Sequence, residues 1–202
     1  HEKHGRHCTI TMDLNGEEAP GEVLDKVCEQ AMIKKGDIVL AWASSPCSSF
    51  SRANWSNLSK GNNYREKYTF EPVQGNKGRT AQQHDRLVKR IKEILSLLKR
   101  TVMENPAVGL ERMFYMLEDE DKRKVVHLCS YGWPYRKPTN LWIRGFEFDP
   151  KGRTGNGLCQ ERCGQGEVDK VTHRFKHYLA AASTRKAPGK EMACGMPPEL
   201  LT

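Results

Sequence analysis

The period of the hydrophobic pattern changes several times along the chain, and each change marks an element. Apolar Val23, Leu24, Val27, Ala31 and Met32 follow Pro20-Gly21 at near-helical spacing, which predicts a helix over Glu22–Ile33. Asp37–Ala43 is a run of β-formers after Lys-Lys-Gly and reads as a buried strand. Ahead of both, Cys8–Leu14 reads as a short strand with Asp13 near its carboxyl end. Strand, helix, strand is the order of a parallel α/β sheet. Leu87, Ile91, Ile94, Leu95 and Leu98 form one stripe and predict a helix over residues 80–100. Thr101–Pro106 follows as a strand ending in Glu104-Asn105-Pro106. A helix over Leu110–Leu117, a strand over Lys124–Leu128, a turn at Tyr131–Pro134 and a strand over Asn140–Arg144 complete the pattern. Residues 48–79 have no period. A structureless loop of about 30 residues is unusual in a compact domain and points to function.

After residue 144 glycine, charge and cysteine increase and periodicity weakens. Three parts are expected: a main α/β domain over 1–143, a small module over 144–192, and a closing segment over 193–202. The last would begin a helix at Gly195-Met196-Pro197-Pro198.

Charge refines this division. The net charge of +8 is concentrated in two segments. Residues 52–79 hold six Lys/Arg against two Glu, and residues 144–192 hold ten against six acids. That distribution suits either a polyanionic partner such as nucleic acid or a solvated basic surface. No apolar run approaches membrane-span length, and no signal peptide is visible. Seven irregularly spaced cysteines argue against a disulfide framework and for a reducing compartment. The chain opens at His1 rather than Met, so an upstream piece is expected.

Two groups of residues could carry chemistry. Cys47, in Ser44-Ser45-Pro46-Cys47-Ser48-Ser49, follows the Asp37–Ala43 strand, at the carboxyl end where open α/β sheets place ligands. A thiolate there is a potential nucleophile, and a cation such as Arg52 would favour it. Glu104 ends another strand, and a carboxyl group in an apolar pocket can stay protonated and donate a hydrogen bond. Together they suit attack on an electron-poor ring; a buried, inert thiol is the alternative. The second group is Cys159-x3-Cys163, nine residues, then His173-x3-His177, close to zinc-finger spacing. Both histidines would share one face of a helix over Val171–Ala182. Zinc would help a module with few apolar residues to fold, and chance clustering is the alternative. Arg174 and Lys176 would then meet phosphates.

Several motifs resemble those of DNA cytosine-5 methyltransferases, especially the phage-like and mobile-element branch. Ser-Ser-Pro-Cys-Ser-Ser-Phe-Ser around Cys47 is similar to the family's Pro-Cys loop. Glu104-Asn105-Pro106 resembles its Glu-Asn-Val/Pro motif, and Tyr131-Gly132-Trp133-Pro134-Tyr135-Arg136-Lys137 its Tyr-Gly-x-Pro segment. Thr11-Met12-Asp13-Leu14 stands where the family's adenine-contacting acid stands, and Gly195-Met196-Pro197-Pro198 resembles the closing motif. The five occur in the family's order across residues 9–201.

The resemblance implies an S-adenosylmethionine-dependent methyltransferase-type sheet with helices on both faces, plus a small basic recognition module. Cys47 would attack carbon 6 of a cytosine, Glu104 would hold ring nitrogen 3 and the amine, and Arg136 or Lys137 would stabilise the base and its phosphate. Asp13, Leu14 and Pro46 would contact S-adenosylmethionine. The partner would be double-stranded DNA with its target cytosine flipped out, in a DNA-containing compartment such as a nucleus. The loop over 48–79 would close on that base, with Arg52, Asn54 and Arg79 as contacts. An RNA substrate is a further possibility. Some family features have no match: the Phe-x-Gly-x-Gly cofactor loop, the ribose-binding acid, the second arginine of Arg-x-Arg (Thr139 stands there) and the Asn before Pro-Pro. Three explanations follow: a missing amino-terminal segment, a partner chain that supplies the cofactor lobe, or a relative that binds nucleic acid without catalysing.

Overall fold

The computed structural model describes residues 18–50, 63–107, 109–117, 122–133, 136–151, 159, 163–172 and 175–177. Helix α1 (Pro20–Ala31) opens with Pro20 in its first turn, and Glu22 accepts the Ala19 N–H at 3.0 Å. Met32 closes it in the left-handed region (φ 53°). Strand β1 (Ala41–Ser44), helix α2 (Asn76–Ser96) and strand β2 (Thr101–Pro106) follow, then the one-turn helix α3 (Phe114–Leu117) and strands β3 (Lys122–His127) and β4 (Pro138–Arg144). Strands β5 (Gly166–Val168) and β6 (Phe175–His177) form a separate two-stranded sheet.

The main sheet has the order β1-β2-β4-β3. β1 and β2 run parallel, and β4 is antiparallel to both its neighbours. The carboxyl ends of β1, β2 and β3 therefore share one end of the sheet with the amino end of β4. Alternation sorts the core into two layers. Met103 and Trp142 face one way and pack with Val88, Ile91 and Leu95 of α2 and with Tyr115 and Met116 of α3. Val102, Leu141 and Ile143 face the other way and pack with Val126, Leu128 and Tyr131. Among the described residues, that second layer is finished by Trp42, Trp133, Phe146 and Phe148 rather than by an α-helix. The α/β class is as expected, but the sheet is mixed rather than parallel because β4 runs against both its neighbours, and helices on both faces are not seen in the described residues.

Several boundaries differ from the pattern reading. β1 starts at Ala41, because a 3-10 turn over Lys35–Asp37 redirects the chain, held by the Lys34 N–H to the Asp37 carboxylate at 2.9 Å. Val39 and Leu40 are left exposed, so that apolar run is not a buried strand. α2 stops at Ser96 because the Arg100 carbonyl already accepts the Ala41 N–H, at 3.1 Å, in line with the sheet. At its other end Gly78 lies so close to Val73 that an added Cβ would fall 1.5 Å from the Val73 oxygen, so α2 can begin at Asn76 only with glycine there. Leu110–Leu117 is a 3-10 turn and a short helix broken by extended Met113. The helix expected over Val171–Ala182 is overturned. Asp169 accepts the Val171 and Thr172 N–H groups at 3.1 and 2.7 Å, a turn that sends β6 back along β5. No helix among the described residues is long and apolar enough to cross a membrane.

Candidate active site

The loop that carries Cys47 leaves the sheet at a fixed point. Ser45 is buried, and its N–H reaches the Glu104 carbonyl at 3.4 Å. The fully buried Asn105 side chain donates to the Ser45 carbonyl at 3.2 Å and to its hydroxyl at 3.0 Å. Two residues later comes Cys47, half-buried, with Pro46 half-buried before it. The Phe50 N–H then donates to the Cys47 carbonyl at 3.0 Å and closes a turn. Phe50 is fully buried against Gly109, where an added Cβ would sit 2.1 Å from the Phe50 oxygen. Any side chain at 109 would push the thiol-bearing turn off the sheet.

Glu104 is the register partner of Ser44, so it sits one strand over from the start of this loop. Side chains alternate along β2, so Glu104 and Asn105 point to opposite faces. Asn105 holds the loop while Glu104 lies on the face of Val102 and Leu141. Glu104 is 4% exposed, and its Oε1 has no hydrogen-bond partner among the described residues. Lys137 Nζ stands 3.7 Å from that oxygen, too far for a hydrogen bond. Burial raises the Glu104 carboxyl above the usual carboxylate range, and Lys137 and Ser44 oppose this only in part.

That shift has a sign that can be measured. The folded chain keeps a proton on Glu104 at a pH where the unfolded chain has lost it. The resulting cost to folding is absent below about pH 4, grows as the pH rises, and is complete above the raised value. Glu104→Gln removes it. The variant is expected to match the wild type near pH 4 and to be the more stable of the two at pH 8. Urea denaturation at the two values checks this; a variant less stable at pH 8 than at pH 4 relative to wild type would contradict it.

A buried polar network secures the far side of the Cys47 loop. Arg65 is fully buried, with its guanidinium 4.5 Å over the Phe50 ring. It donates to the carbonyls of Ser49 (3.2 Å), Phe70 (3.1 Å) and Ala81 (3.2 Å), and makes a two-pronged pair with Asp85 at 2.7 and 3.1 Å. The Tyr115 hydroxyl donates to Asp85 at 2.6 Å, and His84 Nδ1 meets the Ser49 hydroxyl at 3.0 Å. Burial and the Arg65 charge hold the His84 imidazole below its ordinary value. Sequence reasoning left these residues out. A signal was present: Asp85 is the sole acid from Asn76 to Lys92 and shares a helix face with Ala81 and Val88. An acid on the core-facing stripe needs a buried cation.

The structure brings Pro46, Cys47, Glu104 and Lys137 to one end of the sheet. Arg136 is exposed; with burial, its charge helps hold the His127 imidazole down to about 4. Lys137, rather than Arg136, is the cation that faces Glu104. Arg79 is exposed in the first turn of α2 and bonds the Asn76 side chain. Asp13, Leu14, Arg52, Asn54, His173 and Arg174 lie outside the described residues, as do the closing motif and the 193–202 segment.

No family model matches the chain. Over 206 aligned residues it is 29% identical to a protein of Frog virus 3 (isolate Goorha) named "probable DNA (cytosine-5)-methyltransferase"; the match covers 99% of this chain and 88% of that protein. The chain is thus similar to a protein that carries that name.

A second cluster forms beyond β3. Among the described residues, Cys159, Cys163 and His177 come together as the sequence spacing suggested, and Cys129, from the 3-10 turn Leu128–Tyr131, joins them. The four ligand atoms lie within 4.8 Å of one another. His177 is on strand β6, not on a helix, and Lys176 precedes it there. Cys129 stands thirty residues ahead of Cys159, between the strand expected over Lys124–Leu128 and the turn at Tyr131–Pro134, where no local motif marks it.

Proposed function

We propose that the chain transfers a methyl group from S-adenosylmethionine to carbon 5 of a cytosine in double-stranded DNA, with Cys47 as the covalent nucleophile. One observation supports this above the rest. Glu104 is a buried carboxyl with an oxygen that lacks a hydrogen-bond partner among the described residues, and it stands beside the strand that presents Cys47. A protonated carboxyl can donate to the ring nitrogen of a base and accept from its amine. A water-filled surface site would have no use for such a group.

The thiolate of Cys47 would add to carbon 6 of the ring, and Glu104 would carry the charge that accumulates on nitrogen 3. Carbon 5 then has the electron density to take up the methyl group that S-adenosylmethionine supplies when bound. Loss of the carbon 5 proton and rupture of the sulfur–carbon bond return the Cys47 thiolate. Lys137 would balance charge next to Glu104, with Arg136 toward the phosphate. Of the three residues expected to touch the methyl donor, Pro46 is half-buried beside Cys47, which fits a ligand at this end of the sheet. Asp13 and Leu14 remain the proposed adenine contacts.

A cytosine stacked in a duplex cannot reach the end of a sheet, so the base would be extruded. Arg52, Asn54 and Arg79 would hold the opened duplex, and the module around β5 and β6, with Arg174 and Lys176, would read its surroundings. The protein would act wherever its DNA is kept.

DNA containing 5-fluorocytosine tests the reading, because fluorine blocks loss of the carbon 5 substituent and freezes the adduct. With S-adenosylmethionine present, the full chain is expected to give a protein–DNA band that survives denaturing electrophoresis. No such band under conditions that trap a known methylase would overturn the proposal. An RNA competitor in the same assay reports the nucleic-acid preference. The unmatched Phe-x-Gly-x-Gly loop favours a second reading, nucleic-acid binding without catalysis. Micromolar binding of S-adenosylmethionine by calorimetry would count against it.

A further inference from the structure

We propose that Cys129, Cys159, Cys163 and His177 bind one zinc ion that fastens the β5–β6 hairpin to the active-site end of the main sheet. This inference does not depend on the methyl-transfer reading.

The geometry suits a tetrahedral ion. With zinc–sulfur bonds of about 2.3 Å and zinc–nitrogen bonds of about 2.0 Å, the edges of the tetrahedron measure roughly 3.5–3.8 Å. His177 Nε2 lies 3.3 Å from the Cys159 sulfur and 3.5 Å from that of Cys163. Three thiols and one imidazole form a closed donor set of the structural type, and soft thiolates select zinc over hard cations.

The surroundings are built for it. Cys129 and Cys159 are buried, although neither lies on a strand or α-helix. The Cys159 N–H donates at 2.9 Å to Nδ1 of His127, itself buried at the end of β3. That bond fixes the backbone of one ligand against the strand that leads into another. Gly166 pairs with His177 across the hairpin, which brings the histidine back beside Cys163.

The hairpin also needs an anchor. Its strands are three residues each, and Glu167 and Val168 are exposed. A two-stranded hairpin of this size is marginal alone, and a metal can supply the missing folding energy. The ligand from the main sheet decides what the ion does. A zinc held by the 159–177 segment alone would make an independent finger. With Cys129 included, the hairpin is joined to the turn that leads to Lys137, two strands from Glu104, or about 10 Å.

The test uses the full-length chain and zinc or cobalt(II) as probe. Metal analysis is expected to give one zinc per chain, and cobalt substitution a tetrahedral spectrum with charge-transfer intensity for three thiolates. Cys129→Ser and His177→Ala should each weaken zinc at least about a hundredfold in chelator competition, more than loss of an outer hydrogen bond costs. His177→Cys should retain the ion. His173→Ala should bind as the wild type does, which separates the site from the spacing-based set. A two-thiolate cobalt spectrum would overturn the proposal without any variant. So would loss of metal in His173→Ala with retention in Cys129→Ser, or a wild-type chain without stoichiometric zinc.

Discussion

Replacing Cys47 by serine is expected to lower methyl transfer at least about a thousandfold, a barrier increase of roughly 4 kcal/mol. Serine keeps the size of the side chain and the turn closed by the Phe50 N–H. It removes the proposed thiol nucleophile and substitutes a hydroxyl, which is a far weaker one. The fold should be unaffected, because the site is half-buried and the anchors of the loop are Asn105 and Arg65. Transfer of a radiolabelled methyl group to DNA measures the first effect and thermal unfolding the second. Activity within tenfold of wild type would remove Cys47 from the mechanism. The 5-fluorocytosine adduct should disappear in parallel.

The largest effect on stability is expected at Arg65. Arg65→Met is predicted to destabilise the chain by about 3–5 kcal/mol, because it leaves Asp85 without its cation inside the protein. It also strips donors from three carbonyls and from the Ser49 hydroxyl. Asp85→Asn should cost less, since the Arg65 side chain keeps those carbonyls and the Asp85 side chain is itself 18% exposed. A double replacement by apolar residues should recover part of the loss, so the two sites should be strongly non-additive in urea denaturation. Additive losses would show that the pair is not a unit. Because Ser49 and Phe50 belong to the loop that carries Cys47, Arg65→Met should lower the rate of transfer as well, even where the protein remains folded.

The parts of the fold that were legible share a simple origin. β2 and β4 are buried on both faces, so their residues form short apolar runs bounded by polar groups, and Thr101–Pro106 was read to the residue. β1 was misread because Ile38-Val39-Leu40 has strand composition yet lies outside the ladder, where a 3-10 turn decides the path. The hairpin was misread as a helix for a related reason. His173 and His177 have helical spacing, but Asp169 captures the amide groups that a helix would need. At the candidate active site, Cys47 and Glu104 were visible because local motifs carry them. Arg65, Asp85 and Cys129 were not, since each acquires meaning from a partner twenty or more residues away.

The order β1-β2-β4-β3 also governs how the protein comes into being. β4 is the last strand of the sheet to be synthesised, yet it lies between two that precede it. While the chain grows, β2 and β3 emerge without a hydrogen bond between them, and the edge of β2 that will carry β4 stays open. Leu141, which covers Glu104 from the neighbouring strand, and Lys137, which faces it, arrive only with that final insertion. A nascent chain therefore holds its Cys47 loop and its carboxyl long before it can form a pocket, and it exposes an apolar strand edge throughout that interval. Such a chain cannot cover Glu104 until residue 144 is free, and slow translation lengthens its exposure to aggregation.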